Sequence, residues 1–241
     1  MNDINEATAG QGRSFPWWVV GALMVLGGLL AVILSSGAGR EALSVVAAGL
    51  PLTLFIGVVS SAPALLIGAL VGRGCRSDKA LWRNLGHFYL VVVGGIPTII
   101  TILVVFLLLV PAVSELLGLA QNAVSVRVRG VLALALAYSA ILGDVFRLAQ
   151  AHPSRGHDGF ARLGGQTGLA VGIALLGLLK DSSLLSLLAV REVTQWARLH
   201  AGSTFDFRES YLAAIFLYLA LTIPLRIVLY YAERRGTTEP A

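Results

Sequence analysis

The sequence predicts an all-α, polytopic membrane protein with about six transmembrane helices. Hydrophobic residues make up 56% of its 241 residues and charged residues only 13%. The mean hydropathy is +0.81, so the chain has more apolar surface than a soluble domain of this size could bury. The apolar residues also form six long runs, and most basic residues fall between the runs, as in membrane proteins.

The six runs are long enough to cross a bilayer. At about 1.5 Å per residue, the 18 residues of the first run reach about 27 Å, close to the hydrocarbon thickness of a membrane. Pro51 and Pro63 predict that the second run tilts, kinks or begins as an interfacial segment, and the glycines and proline of 94–97 interrupt the third. The predicted spans are 17–34, 43–71, 88–110, 131–148, 167–190 and 211–231.

The first run has two interpretations. A signal peptide would need a basic start and a cleavage site, but only Arg13 precedes the run and the segment 35–39 is a poor site. Trp17 and Trp18 instead resemble an interfacial aromatic belt. We therefore expect a retained anchor helix, and the predicted organisation is a cytoplasmic tail 1–15, an anchor helix and connection 16–42, a membrane domain 43–235 and a tail 236–241.

The distribution of basic residues predicts the orientation. The net charge of +5 would suggest nucleic acid in a soluble protein, but here it is interpreted as membrane topology. With both termini inside, ten basic residues are cytoplasmic: Arg13, Arg73, Arg76, Lys79, Arg83, Arg147, Arg155, Arg162, Arg234 and Arg235. Six are then outside: Arg40, Arg127, Arg129, Arg191, Arg198 and Arg208. This bias predicts that both termini are cytoplasmic.

Several kinds of chemistry are not predicted. Cys75 is the only cysteine, which excludes an intrachain disulfide, and the four histidines are scattered over different loops and span ends, so no metal site is expected. No glycine-rich loop with Gly-Lys-Ser/Thr is present to bind ATP. An intramembrane protease would need a nucleophile and a base on facing spans, and no such pair is evident. We therefore expect a protein that is not an enzyme.

The most informative polar segment is Lys180, Asp181, Ser182 and Ser183. Both charges lie inside a run that is otherwise apolar, and a charge at bilayer depth costs about 2.5–3.5 kcal/mol on insertion scales, so such residues usually face a cavity or a protein interior. The alternatives are a helix break with Lys180 reaching the headgroups, or a mutual pair or an inter-subunit hydrogen bond that orders the broken helix. Asp144 and Arg147 lie three residues apart and predict a local pair.

Several short motifs together resemble the membrane-spanning permease subunits of bacterial ABC importers, in the branch that imports polar amino acids. The resemblance covers 43–235, and its most specific part is LKDSSL at 179–184, similar to the family's LKDTSL. The other motifs, in the family's order, are GLPLTL at 49–54, the basic loop 73–83, YLVVVGGIP at 89–97, SAILGDVFR at 139–147, VREV at 190–193 and AERR at 232–235.

The resemblance implies a function and a set of partners. The chain would provide the path for a polar amino acid or similar small solute in the bacterial inner membrane, as a homodimer or as a heterodimer with a second permease. A periplasmic solute-binding protein would deliver the solute, and two ABC ATPase subunits would bind ATP and Mg, so this chain itself would hold no cofactor. Candidate path residues are Lys180, Asp181, Ser182 and Ser183, together with Gly94, Gly95 and Pro97, for which packing is the alternative.

The chain departs from the family in its coupling loop. The family's EAA motif is replaced in 153–164, the segment that follows it is largely missing, and the arginine of the family's RGxP element is replaced by Gly94. Residues implied to contact an ATPase are Arg155, Gly156, Asp158, Phe160, Ala161, Arg162 and Gly164, with a solvated loop as the alternative. The shortening suggests a second hypothesis, a degenerate subunit that pairs with or regulates an intact permease without coupling to the ATPase.

Overall fold

A computed structural model describes residues 16–120, 123–151 and 166–236. Within these ranges the chain is helical and contains no strand. Two irregular helical turns join the regular helices: a π-helical turn at Val105–Leu109 and a 3₁₀ helix at Ser182–Leu188. The helices are α1 (Trp17–Leu34), α2 (Gly37–Ala47), α3 (Leu50–Gly74), α4 (Ala80–Gly95), α5 (Thr98–Val104), α6 (Val110–Leu116), α7 (Val126–Ala151), α8 (Gln166–Asp181), α9 (Val193–Thr204) and α10 (Phe207–Gly236).

Six helical segments of the described chain are long and apolar enough to span a membrane, which confirms the predicted number. They are Trp17–Leu34, Gly37–Gly74, Thr98–Leu116, Val126–Ala149, Thr167–Leu188 and Phe207–Glu233. Many apolar side chains on their outer surfaces are exposed, as expected where lipid replaces water. The all-α membrane fold predicted from composition is therefore confirmed.

The third span differs from the prediction. Residues 88–95 belong to α4, which begins earlier, at Ala80, and ends at Gly95. The span itself, Thr98–Leu116, begins after the break. Ile96 and Pro97 are extended, and a proline favours an extended residue before it and starts a new helix after it. The predicted interruption at 94–97 is confirmed, whereas the predicted boundaries 88–110 were wrong, because residues 88–95 belong to α4 and the span extends from Thr98 to Leu116.

Two further differences concern shorter helices. The second run divides into α2 and α3, with a turn at Ala48 and Gly49. The polar connection after the fifth span contains α9, which the sequence analysis did not predict. Helices α2 and α9 pack with α10 in a small apolar cluster that includes Val46, Val193 and Ala213. These two short helices therefore form a compact unit at one end of the bundle.

The main core is built around α3 and α7, which run parallel in close contact. Glycines of α3 allow this approach: a Cβ on Gly68 would lie 2.7 Å from Leu142 Cβ, and one on Gly72 would lie 2.7 Å from Phe146 Cβ. Since both contacts advance by four residues along each helix, the C-terminal ends of α3 and α7 lie together. Small residues are the usual means by which membrane helices approach closely.

Helix α8 runs antiparallel to α7 and completes this core. A Cβ on Gly177 would lie 2.9 Å from Tyr138 Oη, and a Cβ on Gly57 of α3 would lie 2.6 Å from Leu179 Cδ1. The α-helical geometry of α8 changes to 3₁₀ directly after Asp181. The predicted break of the fifth span at the Lys180–Asp181 pair is thus confirmed.

The close approach of α3 to α7 predicts that Gly68→Ala destabilises the protein. The new methyl group would meet Leu142 Cβ and lie 3.0 Å from the Ser139 carbonyl oxygen, and neither group can rotate away. We expect a loss of about 1–3 kcal/mol, the usual range for overpacking, measured by thermal or denaturant unfolding in detergent.

Gly28→Ala on α1 is the matched control, because nothing lies within 4 Å of its added methyl group. Gly28→Ala is expected to leave stability unchanged or slightly raised, since alanine favours helix formation. Equal stability of Gly68→Ala and the unmodified protein would contradict the packing described here.

Candidate functional site

The end of α8 places two charged side chains in different environments. Asp181 is partly buried and its carboxylate accepts a hydrogen bond of 2.8 Å from Tyr138 Oη on α7. Lys180 is exposed, and the described residues offer it no hydrogen bond or ion pair. The alternative of a mutual Lys180–Asp181 pair is therefore not what the structure shows, because Asp181 bonds to the tyrosine.

The two serines that follow differ as well. Ser182 is fully buried, its hydroxyl donates 2.7 Å to the Leu179 carbonyl oxygen, and it also interacts with Tyr218 of α10. Ser183 is partly buried. Of the four residues predicted from this motif, Lys180, Asp181 and Ser183 remain accessible in part, whereas Ser182 serves the local turn.

Tyr138 belongs to the candidate site through its hydrogen bond to Asp181, and it was not predicted from the sequence. It is 5% exposed and lies one residue before the 139–147 motif, on a helix interpreted only as an apolar span. Its phenol reaches Asp181 because Gly177 leaves room for the ring. The only sequence signal was a tyrosine inside an apolar run, and aromatic residues in such runs are common in cores.

The break between α4 and α5 lies on the other side of α7. Gly94, Gly95 and Pro97 are all exposed. The nearest atom to a Cβ on Gly94 would be Ala140 Cβ at 3.7 Å, an ordinary contact, and Gly95 has nothing within 4 Å. Contacts inside the described chain therefore do not require glycine at either position, so the packing alternative finds no support within one subunit.

The structure brings the two predicted path segments to the same part of α7. Tyr89, near the end of α4, bonds through its hydroxyl to Ser139 Oγ at 2.5 Å, and Ser139 is the neighbour of Tyr138. Helix α5, which follows the break, contacts the 3₁₀ helix that follows Asp181. The segments 94–97 and 180–183 are thus held by one short stretch of α7.

A second group of motif residues meets at the other end of the core. A Cβ on Gly49 would lie 2.5 Å from the Val193 backbone nitrogen, and Thr53 Oγ1 accepts a hydrogen bond of 3.1 Å from that nitrogen. The GLPLTL motif of α3 and the VREV motif at the start of α9 therefore pack directly on each other. Gly49 is needed here because the backbones are in contact.

Glu192 is the centre of this second group. It is fully buried, and its two carboxylate oxygens cap α9 by accepting from the Thr194 and Gln195 amides at 2.8 and 2.7 Å. Tyr218 Oη on α10 donates to the same carboxylate at 2.7 Å. Burial raises the pKa of Glu192, and the hydrogen bonds that it accepts from the amides and from Tyr218 oppose that shift. This arrangement points to a structural role.

The predicted coupling-loop residues Arg155, Gly156, Asp158, Phe160, Ala161, Arg162 and Gly164 lie outside the described residues. Because α3 and α7 are parallel, the C-terminal end of α7 lies at the same end of the bundle as the C-terminal end of α3, which precedes the basic loop 73–83. Arg147 and Asp144, near that end, form the predicted local ion pair at 2.8 Å.

A solved structure has a similar fold. The solved structure of an amino acid ABC transporter with histidines matches the fold with a TM-score of 0.64 at 20% sequence identity, covering 80% of this chain and 94% of that chain. No family model matches the chain. This chain therefore has the fold of that transporter chain.

Curated relatives make the comparison more specific. The histidine/lysine/arginine/ornithine transport system permease protein HisQ of Escherichia coli is 26% identical over 213 residues, 79% of this chain and 92% of HisQ. "Probable amino-acid permease protein YxeN" of Bacillus subtilis is 24% identical over 205 residues, 77% of this chain and 88% of YxeN. These findings confirm the resemblance to amino-acid ABC importer permeases that the motifs predicted.

The Glu192 arrangement predicts the relative effects of two substitutions. Glu192→Ala removes the acceptor for two backbone amides and for Tyr218, and we expect it to cost about 2–4 kcal/mol. Tyr218→Phe removes one donor and leaves the helix cap in place, so about 1 kcal/mol is expected. Unfolding of both variants and of the double variant in detergent measures the coupling between them.

If Glu192 serves as a cap, the double variant will lose less than the sum of the single losses. Strictly additive losses, or a larger loss in Tyr218→Phe than in Glu192→Ala, would argue against the assigned cap.

Proposed function

We propose that this chain is the permease subunit that provides the translocation path for a polar amino acid in an ATP-driven importer. The observation that carries the proposal is the end of α8, where an exposed Lys180 without a partner among the described residues lies beside Asp181 inside a membrane-spanning segment. A cation in such a position is costly unless it faces water or a polar ligand. The named relatives, which are amino-acid permeases, support the same interpretation.

The chemistry of the segment suits a zwitterion. The Lys180 ammonium can pair with the carboxylate of an amino acid, and Asp181 can accept from its ammonium group. The hydrogen bond from Tyr138 holds Asp181 in one orientation, which limits the ordering that solute binding requires. Ser183 adds a hydroxyl that can donate or accept.

Movement of the solute needs two packings of the helices that open alternately. The break at Gly94, Gly95 and Pro97 supplies irregular backbone next to the polar segment, and a few such residues can absorb the change in backbone angles at a hinge. Their exposure leaves room for this change within the subunit. Each packing would be favoured by a different state of the partners.

The proposal includes the partners, the location and the orientation. The chain would pair with itself or with a second permease in the bacterial inner membrane, and a periplasmic binding protein would deliver the solute. Two ATPase subunits would bind ATP and Mg and dock at the end that carries the basic loop 73–83 and the coupling loop 152–165. With that end inside, both termini are cytoplasmic.

A second hypothesis, a degenerate subunit that regulates an intact permease, rests only on the shortened coupling loop. The comparisons do not favour it, since the curated relatives are themselves named as permeases and are matched over about nine-tenths of their length. We therefore retain the permease as the proposed function.

The proposed path predicts loss of transport on removal of Lys180. Lys180→Gln in the assembled transporter should lower the uptake rate of the radiolabelled solute about 10- to 100-fold, since a charge-assisted hydrogen bond contributes about 1.5–3 kcal/mol. Arg208→Gln, a substitution of an exposed cation outside both the polar segment and the basic loop, is the control and should retain uptake. Wild-type uptake by Lys180→Gln at equal expression would rule out a role for this lysine.

The proposed coupling loop predicts loss of the ATPase contact. In cells co-expressing the neighbouring genes, the tagged chain should co-elute with an ATPase, and Phe160→Ala combined with Arg162→Glu should reduce that co-elution at least several-fold. Phe205→Ala, a substitution of an exposed phenylalanine beside α9, serves as the control. Undiminished co-elution of the loop variant would show that the ATPase docks elsewhere.

A further inference from the structure

A cavity of about 500 Å³ opens at the end of the core opposite the basic loop. Its walls come from four parts of the chain: the α2–α3 turn, the start of α3, the start of α7, and the segment that leads into α9. The residues that line it are Ala48, Pro51, Leu52, Phe55, Arg127, Arg191 and Trp196. Its volume falls within the range of about 300–1,000 Å³ that is usual for small-molecule sites.

Two guanidinium groups face this cavity without a counter-charge. Arg127 and Arg191 are both exposed, and in the part of the chain that the structure describes neither forms a hydrogen bond or an ion pair. The lining contains no acidic side chain. The nearest acid along the chain, Glu192, is fully buried and uses both its oxygens to cap α9. The cavity is therefore positive and open to an anionic group.

The remainder of the lining is apolar and aromatic. Pro51, Leu52 and Phe55 form one wall, and the Trp196 indole lies at the start of α9. Guanidinium groups bind carboxylates in a bidentate geometry, and an indole stacks on alkyl, aromatic or cationic groups. This combination fits a small molecule that has a carboxylate at one end and a less polar or cationic side chain at the other.

The walls are held by contacts already described. Glu192 fixes the turn between Arg191 and Trp196, because it caps α9 and its carbonyl oxygen accepts from the Trp196 amide at 3.0 Å. Gly49 and Thr53 tie α3 to the same turn through Val193. A preformed site of this kind binds with less loss of conformational entropy than a flexible one.

The position of the cavity relates it to the proposed path. Leu52 lines the cavity, and Gly57, five residues further along α3, contacts Leu179 beside Lys180. At about 1.5 Å per residue, the cavity lies about 7.5 Å along α3 from the polar segment. It is at the end away from the basic loop, which is the outer end in the proposed orientation.

We infer that this cavity is an entrance site that binds the carboxylate of the incoming amino acid between Arg127 and Arg191 before the solute reaches Lys180 and Asp181. The inference rests on the proposed function, because that function supplies the identity of the ligand. It adds a second, outer binding site and two specificity residues, and it explains why two unpaired cations lie on the side of the membrane that otherwise has fewer of them.

The test uses the full-length chain with its co-purified ATPase subunits and without the binding protein, in lipid nanodiscs, with Trp196 as the only tryptophan of this chain and with the signal of a Trp196→Phe form subtracted. Trp196 fluorescence is followed during titration with L-histidine and L-arginine, each compared with its decarboxylated amine, histamine or agmatine. Inorganic phosphate is the third probe. Uptake of the same two amino acids is measured in parallel on the same variants reconstituted in proteoliposomes.

We expect at least one of the two amino acids to change the fluorescence saturably and its amine to have no effect. Arg127→Met or Arg191→Met should weaken that binding at least tenfold, and the lysine variants should restore part of it. Arg208→Met is the control, because Arg208 is also exposed but lines a separate cavity of about 80 Å³ beside Glu209. An equal response to phosphate or to the amine would overturn the assignment of a carboxylate site for the solute.

Different results would overturn the entrance site and the permease function. If uptake of the amino acids is normal in Arg127→Met and Arg191→Met and the fluorescence does not respond, the entrance site is wrong and the permease function stands. If the unmodified complex takes up neither amino acid and binds neither, the entrance site and transport are both wrong for these two solutes, and uptake of the other amino acids then decides whether the permease function also fails.

Discussion

The close contact between α3 and α7 is the constraint on which the other parts of the structure depend. Gly68 and Gly72 let the two helices run parallel at short distance, so their C-terminal ends lie together at one end of the bundle and their N-terminal ends at the other. The end of α7 and the basic loop consequently lie at one end, whereas the Arg127–Arg191 cavity opens at the other. The difference between the two ends of the bundle therefore follows from the packing of α3 on α7.

Helix α7 also connects the two segments that the motifs singled out. Tyr138 bonds to Asp181 on one side, and Ser139 bonds to Tyr89 on the other. A movement of α4 would therefore displace Ser139, the neighbour of Tyr138, and Tyr138 is the residue that bonds to Asp181. Two hydrogen bonds on adjacent residues of one helix thus connect the end of α4, which precedes the break, with Asp181.

Composition and hydropathy were sufficient to predict the number of spans, because in a bilayer each apolar run must form a helix that satisfies its own backbone. The interruption of the third run at 94–97 was evident from its glycines and proline, but the limits of the span were not, since 88–110 is continuous in hydropathy and does not show that the residues before the break belong to a separate helix. Helix α9 was missed because its polar residues resemble a loop, although its apolar face packs on α2 and α10.

In the candidate site, too, some residues were evident from the sequence and others only from the structure. Lys180 and Asp181 were evident because charges are rare inside apolar runs. Tyr138 and the Arg127–Arg191 pair were not, since their roles depend on side chains that are far apart in sequence and meet only in the folded bundle. The pairing of GLPLTL with VREV through Gly49, Thr53 and Val193 likewise required the structure, although both motifs had been recognised separately.

ATP-driven uptake in a defined system tests the central claim most directly. The chain would be purified with its co-expressed partners, reconstituted in proteoliposomes with ATP inside, and supplied with the binding protein and each radiolabelled amino acid in turn. The account predicts accumulation of at least one polar amino acid that requires both hydrolysable ATP and this chain. Absence of accumulation for every amino acid, in a preparation whose ATPase is active and bound to the chain, would contradict it.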